Sequence, residues 1–309
     1  MIHKKKKEME KAAAELARQI QGKVFCRVLM KRYTSFRIGG LAEVMVFPER
    51  VPDLIATVEF CEDKGLPWRV IGKGTNLLVL DGGVDEVIIN LSSSFQEVEV
   101  KEELKVWAGA GLWLARLVKY CQLEGIAGLE FMAGIPGTLG GALVMNAGAD
   151  KREIADVVRR VSFYRPKEGV GELKRKHLNF SYRGLKKPEG TIFLGAEFSL
   201  SHDDPVEIRE RIMVSLKRRR TTQPLSQPSP GSIFKNPPGK FAGQLIENAG
   251  LKGERIGDAQ VSEKHANFIV NRGRARARDV IALIERIKDE VKKQSGVELK
   301  EEVEIIGRD

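Results

Sequence analysis

This sequence predicts an α+β fold of more than one lobe. Three observations carry that reading: short strands in quick succession, two glycine-dense turns, and a proline-rich passage late in the chain. A chain of 309 residues is long enough for two or three compact lobes, each burying its own apolar core. The early strands lie too close together along the chain to be repeated βαβ units. Between residues 221 and 238 there are five prolines and few periodic apolar residues, which marks a loop leading into a C-terminal lobe.

Taken in order, residues 1–20 read as an amphipathic helix with Met9, Ala12, Ala13, Leu16 and Ile20 on one face. Its lysine-rich start lacks the apolar core of a signal peptide. Residues 42–47 follow as a strand, 51–64 as a helix, and 68–71 as a strand running into a glycine turn. Short strands are expected at 77–80, 84–90, 95–100 and 104–108, then a helix at 112–124. Glycine is dense from 125 to 149. Strand-like alternation returns at 157–164 and 191–200, and a helix at 205–220 leads out. The last lobe reads as helix, strands, helix, strand, its long helix at 277–294. On this reading, residues 21–90 and 91–204 are two subdomains of one binding domain, and 205–309 form the C-terminal lobe.

With 42% hydrophobic and 30% charged residues, the chain holds too many aliphatic side chains to stay disordered. A net charge of +10 favours anionic partners. The basic residues are spread along the chain, apart from Lys4 to Lys7 and Arg218 to Arg220, and aromatics are only 6%, leaving few platforms for base stacking. No nucleic-acid partner is expected. No segment is long enough to span a membrane, so no membrane partner is expected either. Cys26, Cys61 and Cys121 form an odd set without CxxC spacing, and the four histidines show no HExxH, so neither a disulfide framework nor a metal site is expected. A reducing, cytoplasmic compartment and a monomer are the corresponding expectations.

The first glycine signal is Val70-Ile71-Gly72-Lys73-Gly74-Thr75-Asn76-Leu77, a strand feeding a turn rich in bare main-chain amides. Such a nest of donors suits a pyrophosphate; the plain alternative is a tight connection between strands. A Rossmann fingerprint would need a third glycine where Leu77 stands. The second signal is Gly128-Leu129-Glu130-Phe131-Met132-Ala133-Gly134-Ile135-Pro136-Gly137-Thr138-Leu139-Gly140-Gly141-Ala142, followed by Asn146-Ala147-Gly148-Ala149. Glycines let main chain approach a flat ring or phosphates closely, while Pro136 stiffens the turn.

Together with Thr34-Ser35-Phe36-Arg37-Ile38-Gly39-Gly40, these segments resemble the FAD-binding domain of the vanillyl-alcohol-oxidase (PCMH) type. Within it, Ser181-Tyr182-Arg183, Gly231-Ser232-Ile233-Phe234-Lys235-Asn236-Pro237 and Leu299-Lys300-Glu301-Glu302-Val303-Glu304-Ile305-Ile306-Gly307 are similar to the UDP-N-acetylenolpyruvoylglucosamine reductase (MurB) family. The likeness runs from about Leu29 to Gly307 with the motifs in the same order. It implies a two-lobed FAD-binding domain with a C-terminal substrate-binding domain. It also implies cofactor contacts from Arg37, Gly39 and both glycine segments.

The activity so implied is FAD-dependent, NADPH-driven reduction of UDP-N-acetylglucosamine enolpyruvate to UDP-N-acetylmuramate, a step of peptidoglycan synthesis. Hydride addition to the substrate pushes negative charge onto its α-carbon and carboxylate, and the resemblance assigns Arg183 and Glu302 to stabilise it. Arg183 offers a permanent charge in a fork that suits a carboxylate. An ionised Glu302 would repel the same anion, so a protonated, hydrogen-bond-donating form is expected. The family usually carries proline where Glu301 stands, so the register rests on Leu299, Val303 and Gly307, with Glu301 and Glu304 as neighbouring alternatives. Ser232 matches the acid that protonates the α-carbon; a hydroxyl is a weak acid, but an enediolate-like intermediate is a strong base. A serine after glycine is otherwise often a helix cap.

Tyr182, Arg220, Gln223, Lys235, Asn236 and His265 fall in segments like the family's substrate-contacting ones, and their polarity suits a uridine diphosphate sugar. After Arg183 the chain passes quickly through Gly190 into the next strand, which resembles the shorter class without a lid tyrosine. No second dinucleotide fingerprint appears, so NADPH and substrate are expected to visit one flavin face in turn, with ping-pong kinetics. Two other readings remain at this point. One is another FAD-dependent oxidase or dehydrogenase on the same fold. The other is a non-catalytic anion binder resting on Arg218 to Arg220, whose plain role is to complement a helix C-terminus.

Overall fold

The computed structural model describes residues 2–101 and 104–309, and for residues 2–7 the backbone alone. The side chains of Lys4 to Lys7 therefore lie outside the described residues. The chain packs as two units, each drawn from three stretches. The first takes in the chain up to Cys26, Val44–Lys73 and Glu86–Arg218; the second takes in Arg27–Glu43, Gly74–Asp85 and Arg219–Asp309. Residues 27–43 and 74–85, grouped by the sequence reading with 21–90, thus pack with the C-terminal stretch.

The first unit opens on the helix Ile2–Leu16, whose Met9, Ala13 and Leu16 are buried as the apolar spacing predicts. They share a core with Ile20, Val44, Val46, Phe60, Cys61 and Val87. The sheet beneath them has the strand order Lys23–Leu29, Leu41–Phe47, Val84–Asn90, Trp68–Ile71. The last two run parallel, with Trp68 opposite Val87 and Ile71 opposite Asn90. The helix Val51–Asp63 starts over a buried Asp53, which accepts the main-chain N–H groups of Glu49 (3.0 Å) and Gln21 (3.3 Å). Burial pushes the Asp53 carboxyl up, but those donors and Arg50 outweigh it and leave it below the ordinary carboxylate value.

A second sheet, five strands and antiparallel, has the order Gly169–Lys174, Val158–Arg165, Ile192–Ser199, Lys105–Gly109, Val98–Lys101. Its core includes Val106, Val161 and Phe198 with Leu114 and Leu117 of the helix Leu114–Leu123 and Leu143 of the short helix Leu139–Val144. The strand expected at 95–100 begins only at Val98, because Phe95 has φ +53°, turning its ring into a core with Leu54 and Tyr164 while its carbonyl accepts the Gly111 N–H at 3.0 Å. Leu104, at φ +56°, likewise delays the next strand to Lys105. The strand Gly169–Lys174 carries no alternation signal in the sequence, since Gly171 replaces an apolar residue where the Phe163 ring lies across the sheet. The helix leading out runs to Thr222, into the stretch expected to be loop.

In the second unit the long helix Ala277–Ser295 buries Val280, Leu283, Ile284, Ile287 and Val291 on one face and ends at Gly296, φ +68°. Its first turn is capped from far along the chain: Asp81 accepts the N–H groups of Ala277 (3.0 Å) and Arg278 (3.2 Å). The helix packs over a core that includes Phe36, Ile38, Leu78, Ile233 and Phe234. Arg255–Ile256, Ala259–Val261 and Ile269–Asn271 form a small antiparallel sheet, and Glu304–Ile306 lies parallel to Leu77–Val79. The architecture is α+β. Among the described residues no helix is long and apolar enough to cross a membrane. The three cysteines are free, and burial pushes the thiols of Cys61 and Cys121 up to about 12, which leaves both unreactive.

Candidate active site

In the first unit the two glycine segments meet. A Cβ on Gly72 would overlap the Thr138 hydroxyl, so the first turn can lie against the second only as glycine. Thr138 is buried and bridges antiparallel to Trp113. Around it Leu114 N–H donates to Gly137 (3.1 Å), Leu139 N–H to Leu112 (2.9 Å) and Gly140 N–H to Ala110 (2.8 Å). Lys73 places its ammonium 3.2 Å from the Trp113 ring centroid, and burial lowers its pKa from the ordinary lysine value. On the same segment Gly141 is exposed, with only the Thr138 hydroxyl, at 3.7 Å, near the place of a Cβ. Bare main chain and a lysine in one patch fit a flat, phosphorylated group. Ile71 is buried and Ile135 half-buried against the core, so these two offer a ligand mainly their main chain.

Asn146 is the exception within this set. It is 1% exposed, its Nδ2 donates to Glu153 Oε2 (2.7 Å) and to the Ser181 carbonyl (2.9 Å), and its Oδ1 accepts the Ala155 N–H (3.2 Å). With its side chain so engaged, only its main chain is left for the cofactor contact expected of it. Gly148 and Ala149 pair with Glu153 and Arg152 in a tight antiparallel turn. Ser181 ends the first strand of a hairpin, Asn179–Ser181 with Gly184–Lys186, whose two-residue tip is Tyr182 and Arg183. Tyr182 is exposed, Arg183 sits at φ +54°, and the guanidinium carbon lies 5.3 Å from the Tyr182 ring centroid.

The second unit gathers the other motifs. A Cβ on Gly74 would overlap the Tyr33 carbonyl, and Ser35 N–H donates to the Gly74 carbonyl at 3.2 Å, so the stretch leading to Arg37 packs on Gly74. Arg37 is in the left-handed region, φ +55°, and Gly39, φ +138°, passes within 2.7 Å of Val79 Cβ counted from a would-be Cβ. Asn271 holds this turn by donating to the Phe36 carbonyl at 3.1 Å. Asn76 Nδ2 donates to the Glu302 carbonyl (3.0 Å), and its own carbonyl accepts the Glu304 N–H (2.9 Å). The end of the glycine turn thereby grips the chain on both sides of Val303. Leu77 is buried beneath it, and Thr75 is half-buried.

Ser232 lies on a short extended segment held from two sides. It bridges Phe268, Ile233 N–H donates to the Asn267 carbonyl (2.8 Å), and the Asn267 side chain closes both main-chain groups of Phe234, at 2.9 and 2.8 Å. On the other side Glu302 N–H donates to the Ile233 carbonyl (2.7 Å) and Lys235 N–H to Lys300 (2.9 Å). Ser232 and Glu302 thus come from adjoining extended segments, and Ser232 is not a helix cap. The alternative Glu301 is turned away into an ion pair with Lys288 at 3.0 Å. Burial pushes its carboxyl up, but its own main-chain N–H and Lys288 outweigh this and hold it low. Glu304 is exposed.

Of the expected substrate residues in this unit, Asn236 Oδ1 accepts the Ala242 N–H (3.0 Å) at the start of the helix Ala242–Asn248. The Arg220 carbonyl accepts Lys264 Nζ, and Gln223 N–H donates to Arg219 (2.9 Å). His265 is half-buried, edge-on to Phe268 at 4.9 Å, with Nδ1 accepting the Asn267 N–H at 3.3 Å. Burial lowers its pKa, so it is a neutral ring. The clamping roles of Asn267, Asn271 and Asp81 have no signal in the sequence. Each acts on residues distant in sequence, Asn267 on Phe234, Asn271 on Phe36 and Asp81 on Ala277.

Residues 42–172 match the FAD binding domain family. Fold and family match define an FAD-binding oxidoreductase, and the matched stretch spans both glycine segments. Residues 223–306 match the family described as UDP-N-acetylenolpyruvoylglucosamine reductase, C-terminal domain. The UDP-N-acetylenolpyruvoylglucosamine reductase of Geobacter sulfurreducens is 45% identical over 298 residues, covering 96% of this chain and 99% of that protein. Reductase 1 of the same name from Bacillus cereus is 42% identical over 302 residues, 97% of this chain and 100% of that protein. The crystal structure of the Thermus caldophilus enzyme superposes with a TM-score of 0.80 at 38% identity, over 92% of this chain and 99% of that one. The chain belongs to the UDP-N-acetylenolpyruvoylglucosamine reductase family.

Proposed function

We propose that the protein reduces UDP-N-acetylglucosamine enolpyruvate to UDP-N-acetylmuramate in peptidoglycan synthesis, with NADPH as reductant, working as a cytoplasmic monomer. The observation that carries the reading is the Ser232 segment, clamped between Asn267-Phe268 and Lys300-Glu302 so that the extended segments carrying Ser232 and Glu302 lie side by side. Residues 21–204 would hold FAD and 205–309 the sugar nucleotide. FAD, when bound, supplies the hydride that NADPH replenishes.

The remaining chemistry belongs to side chains of this chain. Arg183 offsets the charge that grows on the substrate carboxylate, at a position where a fixed donor is worth most. Glu302, protonated, donates to the same anion. Ser232 delivers a proton to the α-carbon. Tyr182, Arg220, Gln223, Lys235, Asn236 and His265 orient the uridine diphosphate sugar, His265 as a neutral imidazole.

The test is anaerobic. NADPH should bleach the flavin of the purified protein, and the enolpyruvyl sugar nucleotide should restore its colour; a flavin that stays reduced overturns the reading. Ser232→Ala should bleach at the parent rate and recover about 100- to 10,000-fold more slowly. Initial-rate lines should run parallel as both substrates are varied, as one site used in turn requires.

A further inference from the structure

The Asn146 amide has no polar capacity left over from its protein partners that matters for donation: both Nδ2 hydrogens and Oδ1 are engaged, on Glu153, Ser181 and Ala155. Its backbone is left-handed, φ +42°, a conformation asparagine tolerates better than other residues with a Cβ. The Ser181 carbonyl that it grips belongs to the last strand residue before the hairpin tip, where Ser181 pairs with Gly184 around Tyr182 and Arg183. Glu153 is itself fixed, its N–H donating to Asp156 Oδ2 at 2.8 Å and its main chain paired with Gly148. The second glycine segment is thereby tied to the hairpin by one buried side chain.

We propose that Asn146 is the positioning residue of Arg183, holding the tip end of the hairpin at Ser181 against the glycine segment so that the guanidinium is set before substrate arrives. The inference rests on the role proposed above for Arg183. Only a side chain with two donors and one acceptor serves all three partners at this reach. Aspartate would set a carboxylate against the Glu153 carboxylate and the Ser181 carbonyl, and glutamine is a methylene too long. A loosened hairpin tip costs orientation, which is felt in the step that needs Arg183 and not in flavin reduction.

The test uses the FAD-loaded full chain. Asn146→Gly deletes the amide yet suits the left-handed backbone. With its main chain still in place it should retain FAD, and its reoxidation by the enolpyruvyl sugar nucleotide should slow about 10- to 100-fold more than its reduction by NADPH. Amide hydrogen exchange at Tyr182 to Gly184 should quicken. In an Arg183→Ala background, Asn146→Gly should slow reoxidation no further, since both changes act through one group. The isosteric Asn146→Asp should show the same split between the two half-reactions.

Parent-rate reoxidation in Asn146→Gly, or losses that multiply in the double variant, would overturn the inference while leaving Arg183 in place. Parent-rate reoxidation in Arg183→Ala alone would remove the role of Arg183 and this inference with it. Loss of FAD from both Asn146 variants would make the residue a general support and overturn the inference too.

Discussion

Gly72 and Thr138 form a lock in which one residue has no side chain because the other has a hydroxyl. Gly72→Ala should destabilise the protein by about 1–3 kcal/mol in urea unfolding and weaken FAD retention. Thr138→Ala in the same chain should recover much of the loss, because the next atom, Thr138 Cβ, is 3.3 Å from the added methyl and can be accommodated. Rescue by distance rather than by chemistry separates this lock from a lost ligand contact. His265 makes a prediction of another kind. Its pKa is lowered in the folded protein, so the unfolded chain binds the proton first. The stability it contributes is fully present above the ordinary histidine value, about 6.5, and is lost as pH falls through the lower folded value. Replacing His265 with Gln should flatten the decline in urea midpoint between about pH 7 and 5.

At the scale of elements, the Ser232 segment shows what sequence can and cannot display. The glycine segments were legible because glycine is a visible demand: residues such as Gly72 and Gly74 stand where a Cβ would strike main chain or a hydroxyl. Helices such as Val51–Asp63 and Ala277–Ser295 were legible from apolar spacing. The clamps were not. Asn267 reaches Phe234 across 33 positions and Asn76 reaches Glu302 across 226, and no local pattern announces a partner so remote. Phe95 and Leu104 misled for a different reason, since both look like strand residues yet adopt φ near +55° to steer the chain. Replacing Asn267 by Leu leaves two buried main-chain groups of Phe234 unmatched. Stability should fall by about 2–4 kcal/mol in urea unfolding, with reoxidation slowed as the Ser232 segment shifts. Asp81→Ala removes the remote cap of the long helix and should cost about 1 kcal/mol, with faster hydrogen exchange confined to its first turn.

For the whole molecule the governing fact is interleaving. Each unit is assembled from three stretches, and the second draws Phe36, Ile38 and Leu78 into its core from the first hundred residues. Residues 219–309 expressed alone lack those side chains, and they lack Leu77–Val79, the strand that Glu304–Ile306 joins. The fragment should show no cooperative thermal transition, whereas adding residues 27–43 and 74–85 on linkers should restore one. A folded, cooperative fragment would mean that the borrowed stretches are dispensable.

The parallel pairing of Leu77–Val79 with Glu304–Ile306 also sets a timetable. A ribosome delivers Leu77–Val79 early and Glu304–Ile306 long afterwards, so an apolar strand must wait, unpaired, through most of translation. During that interval it is a natural client for a holdase, and a pause or premature stop late in the message would release a chain with its sticky edge still open.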